Sequence, residues 1–150
     1  MITNEKVITI NRPVEEVFAY VMDLQNGPEW QSGLLEVRQV TQGSPGVGSQ
    51  YVAVRKFMGR KLEAVIDIVA YEPNRKAVIK SVSGSVPFEE SYLFEPTTEG
   101  TRITTVTQLH TSGFMGLAEP MIAGSLKRAV GTDYGELKDL LENRVASATS

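Results

Sequence analysis

Two charged side chains stand among apolar neighbours at spacings that could do chemistry. Glu90 alternates with Phe88, Tyr92 and Phe94, so in an extended strand all four share one face. Aromatic surroundings disfavour an ionised carboxylate, which suits Glu90 to general acid or base work. Against that, a strand end would leave Glu90 in water, and a bulge near Pro87 would turn it to the other face. Arg55 follows Tyr51 and Ala53 at the same two-residue interval, with Phe57 beyond it. If that face is buried, Arg55 can pair with Glu90 or hold a ligand carboxylate or enolate oxygen. If Val52 and Val54 are buried instead, Arg55 is a solvent residue, and the alternation alone does not choose. His110, the single histidine, falls opposite Ile103 and Leu109, which places it on the solvent side. No nucleophile motif accompanies it.

Much other chemistry is excluded. The chain has no cysteine, which removes disulfides, thiolate nucleophiles and sulfur-ligated metals. One histidine cannot make a multi-histidine metal site, and no metal or cofactor is implied. The formal net charge of −3 offers no basic field for nucleic acid or an anionic membrane. No apolar run is long enough for stable membrane insertion, and Met1 to Lys6 lacks a signal pattern. A soluble cytoplasmic protein is the expectation. The glycine-rich stretch Gly43 to Gly48 has no helix opening after it and no Gly-Lys-Ser/Thr ending, so it reads as a hairpin turn.

The elements that must position these residues follow from periodicity. With 150 residues the chain reads as one domain spanning 1–150, with Ala146 to Ser150 a frayed tail. Glu5 to Asn11 is β-branched and predicts a strand. Asn11 or Arg12 then starts a helix with Pro13 in its first turn, and Val14, Val17, Phe18, Val21 and Met22 form its buried face. Pro28 opens a second short helix through Trp30. A two-residue period then puts Leu35, Val37, Gln39 and Thr41 on one side of a strand. Gln50 to Phe57 reads as the next strand, and Met58-Gly59 as a tight turn. Leu62, Ala64, Ile66, Ile68 and Ala70 make the core face of another. Ala77, Ile79 and Ser81 follow, then the Glu90 strand. Ile103, Thr105, Thr107 and Leu109 belong to the last. Beyond Ser112 the pattern is helical, with Leu126, Val130, Leu137 and Leu141 as its stripe. Gly124, Gly131 and Gly135 interrupt that helix and suggest a bend or a close approach.

Short turns make antiparallel neighbours, and one apolar sheet face must be covered. Only the terminal helix is long enough to cover it. The inward positions include many small or polar residues, which predicts a cavity between sheet and helix rather than a solid core. Its expected lining comprises Tyr51 and Phe57 with Ile66, Ile68 and Ile79. Phe88, Tyr92 and Phe94 continue it, with Thr105 and Thr107 from the last strand. Leu117 and Met121, with Met115 and Ile122, form an adaptable apolar mouth or ordinary core. Trp30 caps the cavity or packs the short helices. Tyr51, Tyr92 and Tyr134 are potential donors to a ligand carbonyl.

With these residues in place, the chain resembles the START-like superfamily, also called SRPBCC, and within it the polyketide cyclase/dehydrase and lipid-transport type. The resemblance runs from about Lys6 to Glu142. It is carried by Ile10 to Phe18 with its Pro-Val-Glu-Glu-Val-Phe, by Trp30 and by Val47-Gly48. Tyr71-Glu72-Pro73, Phe94-Glu95-Pro96, Gly100-Thr101-Arg102-Ile103 and the helix ending at Leu137 to Glu142 complete it. It implies an α+β helix-grip fold, with a strongly curved antiparallel sheet wrapped around a long C-terminal helix. It also implies a hydrophobic or amphipathic small-molecule ligand, such as a lipid or polyketide-like compound. One alternative is a cyclase or dehydratase that uses Glu90 and Arg55 without metal or cofactor. Another is a protein-interaction domain or homodimer in which the cavity is incidental. Fold membership alone does not choose among these.

Overall fold

The computed structural model describes residues 1–57, 59–112 and 114–148, with the side chains at 114, 115 and 145–148 outside that description. Met58 of the expected tight turn, the Met115 side chain and the end of the tail therefore lie outside the described residues.

Seven strands build one antiparallel sheet: β1 (Ile2–Ile10), β2 (Leu34–Gln39), β3 (Gln50–Phe57), β4 (Arg60–Glu72), β5 (Lys76–Ser83), β6 (Phe88–Pro96) and β7 (Thr101–Leu109). Their order in the sheet is β1-β7-β6-β5-β4-β3-β2. Every strand after β2 is therefore a hairpin partner of the one before it, as short turns dictate. The last strand closes back on the first, and Ile8 of β1 faces Ile103 of β7. Helix α1 (Val14–Met22) and a 3-10 helix (Leu24–Glu29) connect β1 to β2. Helix α2 (Phe114–Leu117) leads into α3 (Glu119–Ala148), which lies along the concave face. This curled half-barrel gripping a long helix is the helix-grip fold.

Several local expectations need correction. β1 starts at Ile2, earlier than Glu5. Pro13 itself is the N-cap residue of α1, in extended conformation, and its carbonyl accepts from the amides of Glu16 and Val17. Pro28 lies inside the 3-10 helix rather than opening it. In β2 a bulge falls between Leu34 and Glu36, so Leu34 and Val37 turn inward while Leu35 is exposed. In β4 a second register shift falls between Ile68 and Ala70, so the inward set continues with Tyr71, not Ala70. The glycines of α3 mark no close approach. A Cβ on Gly131 or Gly135 would meet nothing within 4 Å, and one on Gly124 only the tip of Arg128.

The core divides the interior into two halves. Near α1 it is solid. Phe18 meets Phe94 and Tyr71 edge-on, with centroids 4.9 and 5.3 Å away, beside the fully buried Ile10, Ile103 and Leu137. Polar ties hold α3 against this half. The Lys138 ammonium donates to the Thr9 carbonyl at 2.6 Å, and the Asn11 amide donates to the Glu142 carboxylate at 2.8 Å. Arg12 reaches the carbonyls of Leu141 and Glu142. Gly100 seals the same corner. Its φ of +150° suits glycine, and a Cβ there would come within 2.3 Å of the Ile10 carbonyl oxygen. The other half of the interior is open.

Candidate functional site

That open half is a cavity of about 410 Å³ between the concave face and α3. Its walls are mainly aliphatic and aromatic. On the sheet side Ala53 and Ala64 sit directly opposite each other in the β3–β4 ladder and leave room that larger side chains would occupy. Ile66, Ile79, Phe88 and Tyr92 continue the wall. On the helix side Leu126, Ala129, Val130, Asp133 and Tyr134 recur at one-turn spacing and face the same space. Trp30, 5% exposed, closes one side with its ring edge-on to Tyr134, centroids 5.0 Å apart. Exposed Lys56, Ser85 and Ala129 mark the rim.

The polar groups are few and lie on opposite walls. On the β6–β7 wall Glu90 accepts hydrogen bonds from the Tyr92 hydroxyl and from Thr107 Oγ1, the latter at 2.9 Å. On the β3 wall Arg55 Nη2 donates to Gln31 Oε1 at 2.8 Å. Among the described residues Arg55 makes no ion pair, with Glu90 or any other carboxylate. The two charges therefore share one cavity without neutralising each other. Asp133, buried on α3, accepts from the Ser32 amide at 3.2 Å and from Ser32 Oγ at 3.1 Å, tying helix to loop.

Two tyrosines line this space with their protons held. Burial first, and then the Glu90 carboxylate, push the Tyr92 hydroxyl well above the ordinary tyrosine range, with Arg55 acting weakly the other way. The same two influences raise Tyr134. Both are thus neutral donors. The Tyr134 hydroxyl lies beside Thr105 yet makes no hydrogen bond of ordinary geometry with any described residue. The Tyr51 hydroxyl is likewise without a partner, outside the cavity.

The structure brings together Glu90, Arg55, Phe57, Ile66, Ile79, Phe88, Tyr92 and Thr107 on the cavity wall. Arg55 thus takes the inward parity that alternation left open. Tyr51, Ile68, Phe94 and Thr105 sit in the packed core beyond the wall. Leu117 and Met121 do not reach it, being 85% and 63% exposed, and Ile122 is buried instead. His110 is exposed, its amide bound to the Pro87 carbonyl. Gln31 and Asp133 also line the cavity, and sequence reading named neither. Asp133 carried a signal, because it falls on the Leu126–Val130–Leu137–Leu141 stripe as a carboxylate among leucines. Gln31 sits in an irregular segment, where no periodicity exists to reveal it.

A curled sheet, a gripping helix and a mostly apolar cavity between them define a helix-grip protein of the START-like, or SRPBCC, class. The chain belongs to the family described as polyketide cyclase / dehydrase and lipid transport, whose model matches residues 1–142. No curated protein matches it in sequence. Solved structures share its fold at low identity. The protein TTHA0849 from Thermus thermophilus is 21% identical with a TM-score of 0.78, covering 99% of each chain. A START superfamily protein from Mycobacterium smegmatis is 15% identical with a TM-score of 0.70, covering 97% of this chain and 98% of its own. DR_A0006 from Deinococcus radiodurans is 16% identical with a TM-score of 0.72, covering 95% and 98%. No helix among the described residues is long and apolar enough to cross a membrane.

Proposed function

We propose that the protein encloses a hydrophobic or amphipathic small molecule in the cavity between sheet and α3. The observation that carries this reading is the preformed chamber of about 410 Å³, apolar over most of its wall with a few polar groups on opposite sides. Such a chamber falls in the size range of small-molecule sites. Apolar burial supplies the affinity, at about 25 cal/mol per Å² removed from water. Arg55, Glu90 and Tyr134 set the orientation. Family membership supports the same reading without naming a ligand.

The test uses the protein's single tryptophan. Trp30 lines the cavity, so its fluorescence reports what enters. Native mass spectrometry of gently purified protein, followed by solvent extraction, should release a stoichiometric apolar compound. Adding that compound back should shift Trp30 emission saturably. Protein that is empty and also indifferent to lipids, fatty acids and aromatic polyketides would overturn the reading. The cyclase or dehydratase alternative makes Glu90 the proton-transfer group and Arg55 the oxyanion partner. It predicts that the extracted compound is consumed on incubation. Retention of that compound unchanged favours binding alone.

A further inference from the structure

The geometry points to a ligand with two different polar ends: a hydroxyl or amine donor at one and a carboxylate or carbonyl oxygen at the other, joined by an apolar body. This inference rests on the cavity reading above and adds the ligand's chemistry.

The donor end belongs at Glu90. Its carboxylate accepts from Tyr92 and Thr107, which uses two of the roughly four lone-pair positions a carboxylate offers. What remains of the carboxylate is acceptor capacity. A ligand anion brought here meets like charge, whereas an O–H or N–H meets a charge-assisted acceptor. Tyr134 stands on the facing helix, 3% exposed, with its hydroxyl proton held beside Thr105 and no hydrogen bond of ordinary geometry to any described residue. It would complete the pocket by donating to the same ligand oxygen that donates to Glu90.

The acceptor end belongs at Arg55. Its guanidinium carries five N–H donors and gives one hydrogen bond, to Gln31, among the described residues. It is half-buried against apolar neighbours, where an unanswered charge is costly. A carboxylate or carbonyl oxygen supplies that answer. Glu90 on β6 and Arg55 on β3 stand on strands three spacings apart in the sheet order, and both line the same cavity. A plain fatty acid satisfies one wall only. A plain alcohol satisfies only the other.

The experiment compares ω-hydroxydodecanoic acid, dodecanoic acid and dodecanol by Trp30 fluorescence titration on the full chain. The hydroxy acid should bind about tenfold tighter than either single-ended probe. In Glu90→Gln its advantage over dodecanoic acid should fall about tenfold. In Arg55→Met its advantage over dodecanol should fall likewise. Thermal unfolding of each variant checks that it folds, and the wild-type comparison stands without them. If all three probes bind equally, the two-ended ligand is wrong while the cavity reading survives. If only dodecanoic acid or only dodecanol binds well, one wall alone is a recognition site and the inference falls. If no probe perturbs Trp30, the two-ended ligand falls, and the cavity reading stands or falls on the extraction and the wider ligand panel described above.

Discussion

Single atoms decide the most at the two unpartnered tyrosine hydroxyls. Tyr51 and Tyr134 are both buried, and neither hydroxyl has a hydrogen-bond partner among the described residues. A buried hydroxyl left unsatisfied costs stability. Replacing it with hydrogen removes that cost while the ring keeps its packing. Tyr51→Phe and Tyr134→Phe should therefore each leave the empty protein more stable, by about 1 kcal/mol in denaturant unfolding. They should differ in binding, since only Tyr134 faces the cavity. Tyr134→Phe should weaken uptake of a hydroxylated ligand several-fold, and Tyr51→Phe should leave it unchanged. At this scale the sequence was legible in part. The alternation Phe88-Glu90-Tyr92-Phe94 placed Glu90 correctly because no bulge interrupts β6 before Phe94. Arg55 stayed ambiguous because both faces of β3 carry apolar residues, and only pairing with β4 resolves them.

Whole elements are fixed by their ends. The strongest example is the corner where β1, α1 and α3 meet. Lys138 donates to the Glu142 carboxylate at 2.7 Å, and the Asn11 amide donates to it as well. These bonds, Lys138's first, hold the Glu142 carboxyl below the ordinary glutamate range. A lowered value in the folded state means the stabilisation is complete above the ordinary range, roughly pH 4, and is lost as pH falls through the lowered value. Stability measured by urea unfolding should decline more steeply with acid in the wild type than in Glu142→Gln, with the two curves converging at low pH. Above that range the variant should be the less stable of the two. Turns were readable beforehand because proline, glycine and asparagine constrain backbone directly, whereas Pro13 and Pro28 each marked a helix without marking its first residue. The bulges at Leu35 and Val69 were not, since an extra residue in a strand has no compositional signature and reveals itself only in the partner's register.

For the molecule as a whole, burial and neighbouring charge set the alkaline limit. All five tyrosines are held above the ordinary tyrosine value, chiefly by burial. A raised value in the folded state gives stabilisation that is complete below the unfolded value, about pH 10, and is lost as pH rises further. Near-ultraviolet absorbance should thus show fewer than half the tyrosines ionised at about pH 10 while the fold persists. Tyrosinate should then appear in one step together with loss of far-ultraviolet dichroism. A smooth titration centred on the ordinary value would contradict the packing described. The fold class was legible from one end of the chain to the other, because a long helix after a run of hairpins has few ways to bury both. The cavity's size was not, because it is written in small side chains whose meaning depends on what they fail to fill. The facing alanines, Ala53 and Ala64, are the clearest case. Nothing in the ladder requires a methyl group there. Exchanging either for valine or leucine would shrink the chamber with every turn, cap and latch untouched. The chamber's size can therefore change while the fold stays, so a shared fold does not specify what the chamber admits.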